Sequence, residues 1–163
     1  MIFVTVGTDT HQFNRLLREV DNLIKTKKIN EKVIIQIGYS TYKPKYCKYF
    51  KFASFKEILE LNKKARIIIS HAGAGNIITA LENNKPLILV PRMKIFNEHT
   101  DSHQLQIAKE LEKEGKVISV YDIKNLWIAI KRIKMIKINK TKRKKSKIEE
   151  IVSDYISNLS DNQ

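Results

Sequence analysis

The sequence holds one cysteine and only three prolines, and no apolar run approaches the roughly 20 residues that span a membrane. Each scarcity excludes something. A single thiol, Cys47, rules out an internal disulfide framework and any pair of cysteines spaced around a metal. The opening Met1-Ile2-Phe3-Val4-Thr5-Val6 is too short, and too poor in basic residues, for a secretory leader. Cytosolic residence is the resulting expectation. No internal repeat and no hinge between two cores is visible, so 163 residues predict one domain. Acid is scarce too, and unevenly so. Residues 123–148 carry eleven Lys and Arg without one Asp or Glu, whereas the remainder is nearly balanced within a net charge of +14. Such a run suits nucleic acid, an anionic membrane surface or an acidic partner, or else it is a solvated face. It is not interleaved with aromatics, which argues against nucleic acid.

What is present alternates. Ile2 to Val6, Val33 to Ile37, Tyr49 to Phe52, Arg66 to Ile69, Leu87 to Val90 and Val117 to Val120 read as short buried strands. Between them lie helical patterns. Phe13, Leu16, Leu17, Val20, Leu23 and Ile24 recur at helical spacing. Ser54 with Glu57 predicts a capping box and a helix to Lys64. Asp101 with Gln104 predicts another cap, and Gly115 ends the helix that follows it. A helix is expected near Asn125 to Ile133, and a last one after Ser146. The fold class is therefore α/β, a single Rossmann-like domain whose parallel sheet is covered by helices on both faces. The expected organisation is a domain over residues 1–130, a basic segment over 131–147, and a closing helix and tail over 148–163.

The stretch from Ala65 to Thr79 organises the rest. An apolar strand runs into the small-residue turn Ser70-His71-Ala72-Gly73-Ala74-Gly75, and a helix opens with Asn76 as the expected N-cap. Backbone N–H groups left unpaired at such a turn, with the helix dipole behind them, suit a phosphate. The same glycines also occur for packing alone. Ligands of open parallel sheets sit beyond the carboxyl ends of the strands. The loops Gly7 to Thr10, Ser70 to Gly75 and Pro91 to Gln104 should share that edge. The last of these holds Glu98, His99, Asp101, His103 and Gln104, donors and acceptors in the number sugar hydroxyls require, although caps account for Asp101 and Gln104. His99 and His103 lack a third ligand at metal spacing, so no metal is expected. No nucleophile is paired with a base.

Three motifs in order, F-V-T-V-G-T at Phe3 to Thr8, S-H-A-G-A-G at Ser70 to Gly75 and E-H-x-x-x-H-Q at Glu98 to Gln104, resemble the donor-binding half of GT-B glycosyltransferases. More narrowly the chain looks like the PssE-type small subunit of two-part bacterial exopolysaccharide and capsule enzymes. Relatives of that group are the soluble subunit of the eukaryotic lipid-linked N-acetylglucosaminyltransferase and the C-terminal domain of MurG. Q-I-G-Y at Gln36 to Tyr39 and V-P-R at Val90 to Arg92 also suit it. The resemblance spans Met1 to about Val120.

The resemblance implies an inverting hexosyltransferase using a UDP-sugar as substrate, with no cofactor. It assigns the diphosphate to the backbone of Gly73, Ala74, Gly75 and Asn76, with His71 in the same motif and the Gly7-Thr8 turn nearby. Glu82 would hold the ribose, His103 and Gln104 would read sugar hydroxyls, and His99 and Asp101 would add contacts to the donor. The acceptor site and catalytic base would come from a membrane-attached PssD-type subunit, which would hold this chain at the inner face of the membrane. The acceptor would be a lipid-linked saccharide in exopolysaccharide or capsule synthesis. An alternative is a UDP-N-acetylglucosamine transferase subunit acting on another lipid-linked glycan. A nucleic-acid-binding protein using the basic run is the alternative of another class.

Overall fold

The computed structural model describes residues 1–133. The expected basic segment lies outside these residues but for Lys131, Arg132 and Ile133, and so does the closing helix. Among the described residues six strands form one sheet: β1 (Ile2–Thr5), β2 (Val33–Gln36), β3 (Lys48–Phe50), β4 (Ile67–Ser70), β5 (Leu87–Leu89) and β6 (Ile118–Ser119). Every pairing is parallel, in the order β3-β2-β1-β4-β5-β6. The order reverses between β1 and β4, where a doubly wound sheet opens a crevice at its carboxyl edge. Among the described residues, no helix is long and apolar enough to cross a membrane.

The pleat sends alternate side chains to opposite faces, and two helical layers cover them. Ile2, Val4, Ile35, Ile67, Ile69 and Ile88 pack against α1 (Asn14–Lys25) and α5 (Leu126–Ile133). Phe3, Ile68, Leu87 and Leu89 pack against α2 (Phe55–Lys64), α3 (Ala74–Glu82) and α4 (His103–Lys113). Each large side chain fully buried in this way contributes about 1.5–3 kcal/mol relative to exposure, so the two-faced sheet is the main source of stability. The α/β class and the two-sided covering expected from the alternation are both present.

Most elements begin and end within a residue or two of expectation. The Ser54 capping box forms, with Ser54 Oγ accepting from the Glu57 amide and the Glu57 carboxylate accepting from the Ser54 amide at 2.8 Å. Gly115 closes α4 at φ +67°, and the amides of Gly115 and Lys116 donate back to Glu112 and Leu111. Two caps differ. Helix α3 opens at Ala74, with Gly73 at the N-cap, so Asn76 is its third residue and not its cap. Gly73 leaves β4 in an extended conformation, and Ala74, a strong helix former, turns at once. Ser102 takes the N-cap of α4 in place of Asp101. Asp101 sits one residue outside, and its carboxylate accepts the His103 amide at 2.9 Å.

Candidate functional site

The crevice is built from glycines and one buried imidazole. β1 runs into Gly7, whose φ of +72° turns the chain away from the sheet. The Gly7 amide donates to Thr5 Oγ1 at 3.2 Å, and that hydroxyl donates to Gln36 Oε1 at 2.6 Å. Thr8 is exposed at the tip of the turn. Across the switch point, the His71 amide donates to the Thr5 carbonyl at 3.2 Å and holds the end of β4 beside β1. The His71 ring lies between Gly7 and Gly73, and a Cβ on either would collide with it. Gly73 therefore has a packing reason to be bare. Gly75 has none: a Cβ there would meet nothing within 4 Å.

Helix α3 has no side-chain cap. The Ile77 amide is the first to bond back, to Gly73 O at 3.1 Å. The amides of Ala74, Gly75 and Asn76 precede it in the first turn, where a helix supplies no acceptor. They belong to the turn that follows His71, at the positive end of the helix dipole. Burial, then the positive charge of Arg92, pushes the His71 pKa down to about 4, so the ring is neutral at pH 7. A neutral ring here leaves the favourable field for an anion to the helix terminus.

The remaining predicted residues form a polar wall on the loop between β5 and α4. His99 Nδ1 lies 3.1 Å from Asp101 Oδ1, and His103 Nε2 lies 3.8 Å from Asp101 Oδ2. His99 also reaches Asp9 across the crevice, at 3.6 Å, and its ring lies 6.2 Å from that of His11. Asp9 Oδ1 accepts from the His11 amide at 2.7 Å and meets its ring at the same distance. Burial raises the Asp9 pKa, but the His11 bonds and the charge of Arg92 outweigh it and hold the carboxyl below its ordinary value. All four histidines of the chain, His11, His71, His99 and His103, thus stand on the carboxyl edge of the sheet. Gln104 is buried, and its carbonyl oxygen accepts the Arg92 amide at 3.2 Å. Among the described residues, no group of three or more His, Cys, Asp or Glu is placed to hold a metal ion.

Two expected contributors stand apart. Glu82 is the exposed last residue of α3, about 12 Å along the axis from Ala74 at 1.5 Å per residue, so it stands two turns from the first-turn amides. Glu98 is turned inward. It is buried, and both its oxygens take the Arg15 guanidinium, at 3.0 and 2.9 Å.

The most consequential residue left out of the predicted site is Arg92. It is 1% exposed and donates to the carbonyls of Val6 at 2.8 Å, His11 at 2.9 Å, Glu98 at 3.1 Å and Gln12 at 3.3 Å. One side chain thereby joins the loops after β1 and β5. Its signals were the V-P-R motif at Val90 to Arg92 and an arginine directly after the buried Leu87-Ile88-Leu89-Val90-Pro91 run. Asp9 and His11 were legible as polar residues on the correct edge, but nothing in their spacing pairs them.

Comparison with known proteins agrees with this architecture. Residues 1–159 match the model of the glycosyltransferase family 28 C-terminal domain. The chain is 38% identical over 123 residues to the human UDP-N-acetylglucosamine transferase subunit ALG13, covering 70% of this chain and 10% of that protein. It is 29% identical over 109 residues to the UDP-N-acetylglucosamine--N-acetylmuramyl-(pentapeptide) pyrophosphoryl-undecaprenol N-acetylglucosamine transferase of Prochlorococcus marinus, covering 64% of this chain and 29% of that protein. The crystal structure of Acinetobacter baumannii MurG superposes with a TM-score of 0.60 at 15% identity, over 95% of this chain and 49% of that one. The chain thus spans about a tenth of the human relative and under a third of the Prochlorococcus one.

Proposed function

This chain belongs to the family of glycosyltransferase family 28 C-terminal domains, and from that premise we propose that it is the donor-binding subunit of a UDP-N-acetylglucosamine transferase. The observation that carries the reading is the uncapped first turn of α3, Ala74 to Asn76, opening at the β1–β4 switch point beside a neutral His71. Those amides take the diphosphate, which becomes the leaving group. As the glycosidic bond to the diphosphate breaks, negative charge grows on the β-phosphate oxygen, and three convergent N–H groups with a helix dipole stabilise it. The acceptor hydroxyl attacks from the opposite face of the anomeric carbon, which inverts it, and its proton passes to a general base.

Asp9, His99, Asp101 and His103 line the side where the sugar would project, with Gln104 behind them. Glu82, two turns further along α3, is left for the ribose. The base and acceptor site lie on a membrane-attached partner, which holds this chain at the inner face of the membrane, and the acceptor is a lipid-linked saccharide. Relatives named as UDP-N-acetylglucosamine transferase subunits support that donor. They favour the alternative of another lipid-linked glycan and lend nothing to an exopolysaccharide or capsule role.

Calorimetry tests the site. UDP and UDP-N-acetylglucosamine should bind the chain, and Gly75→Val should weaken both by at least about tenfold, since its branched side chain enters space that only a ligand would use. The thermal midpoint should hardly move. Unaltered UDP affinity in a folded Gly75→Val protein would falsify the phosphate assignment.

A further inference from the structure

Residues 33–56 contain five lysines, Lys43, Lys45, Lys48, Lys51 and Lys56, all exposed, and no Asp or Glu. The same stretch holds five of the eight large hydrophobic side chains that stand exposed among the described residues: Tyr39, Tyr46, Tyr49, Phe52 and Phe55. Phe55, at the first position of α2, is 74% exposed. Beside them a groove of about 630 Å³ runs between β3 and α2. Its lining joins the half-buried Ile34, Phe50 and Leu61 to the exposed Lys48, Lys56 and Lys64. Helix α2 buries only Asn62, so it covers the end of the sheet loosely. Two acids also line it, and both are engaged: Glu57 in the Ser54 capping box and Glu60 with Lys63 at 3.4 Å.

From this we infer that the β3–α2 edge is a docking face for an anionic bilayer. Lysines on an edge strand also discourage strand-to-strand pairing, but that device does not call for exposed rings among them. Tyrosines at headgroup depth, phenylalanines entering the acyl boundary and lysines against anionic lipid are the combination an interface selects. Single-stranded nucleic acid would need ring faces open for stacking. Of the five exposed rings, Tyr39 and Phe52 are engaged with each other, edge to face at 5.0 Å, and do not form a stacking platform. The placement matters. Phe52 and Phe55 follow the carboxyl end of β3, on the sheet edge that carries the candidate site and roughly 10 Å, two strand spacings, from β1. The inference rests on the proposed donor role for its purpose, since it would hold that site against the surface from which a lipid-linked acceptor projects.

The test reads this face alone, because basic residues beyond 133 would also draw the chain to anionic lipid. Phe55→Trp is placed in a Trp127→Phe background, which leaves one indole. Vesicles are phosphatidylcholine with or without about one-third phosphatidylglycerol, with brominated acyl chains as quenchers. Anionic vesicles should quench the indole and neutral ones should not. Replacing Lys48, Lys51 and Lys56 together with alanine should weaken that binding about 100-fold, at roughly a factor of five per lysine. Flotation of the full chain without quenching would overturn the inference. So would quenching by a 20-nucleotide RNA at physiological salt in place of vesicles. UDP affinity is measured separately, and its loss or retention leaves this outcome intact.

Discussion

A Cβ on Gly73 would collide with the His71 imidazole, whereas one on Gly75 would meet nothing within 4 Å. Two glycines of one motif thus differ: packing requires Gly73 to be bare, and no neighbour in the fold requires it of Gly75. His71 is the residue they serve, and its burial has a pH consequence. Its pKa falls to about 4 in the fold, below the ordinary 6.5. Between those values the unfolded chain binds a proton that the folded chain refuses, so stability rises with pH across the window and is lost as pH falls from 6.5 toward 4. At about 1.4 kcal/mol per pH unit, the loss approaches 3 kcal/mol. Urea unfolding at pH 4.5 and 7 should show it, and His71→Asn should shrink the difference. An unchanged difference would mean that other groups govern the acid limb.

The helix termini carry the local energetics. Ser54 and Glu57 satisfy each other's backbone at the start of α2, a helix that buries little and leans on its cap. Ser54→Ala should cost about 1 kcal/mol, read as a lowered denaturation midpoint at unchanged slope. The loss should leave UDP affinity alone, because α2 lies off the switch point. Helix α3 shows the opposite arrangement. It has no side-chain cap at its N-terminus, while its C-terminus is closed by Asn84 at φ +52°, with the Asn84 and Lys85 amides donating to Leu81 and Ala80. A helix finished at one end and left open at the other concentrates its unsatisfied donors where the sheet reverses. The cap expected at Asn76 would have blocked that opening. It was misplaced because Asn is a good cap in isolation, while the chain turns earlier, at Gly73.

For the molecule as a whole, the loops of the carboxyl edge are tied by two arginines. Arg92 collects four backbone carbonyls from the loops after β1 and β5, and Arg15 takes both oxygens of Glu98 and the Pro91 carbonyl. Burial lowers the Arg92 pKa, and the charges of Asp9 and Glu98 oppose the shift, so the guanidinium remains a cation. Arg92→Met keeps an unbranched apolar stem but removes the guanidinium that lies 4.8 Å over the Phe13 ring, and it strands buried carbonyls. It should cost about 3 kcal/mol or more, and it should weaken UDP binding by loosening both loops. Denaturant melts with UDP titration of the folded fraction would check both effects. A variant as stable as the parent would show that the clasp is ornamental.

The α/β class, the strand and helix order, the Ser54 cap and the glycine turn between β4 and α3 were all legible in the sequence. Each depends on interactions a few residues long: apolar periodicity, a side chain reaching its own helix terminus, and glycines at a reversal. The family resemblance rested on the same short motifs. What only the tertiary structure decided was which polar residues meet. Glu98 reads as a ligand-facing acid until Arg15, 83 positions earlier, is seen to claim it. Arg92 reads as an ordinary loop charge until four carbonyls from two separate loops converge on it. Such pairings are fixed by where parallel strands lay their carboxyl ends, a long-range property that no local pattern encodes.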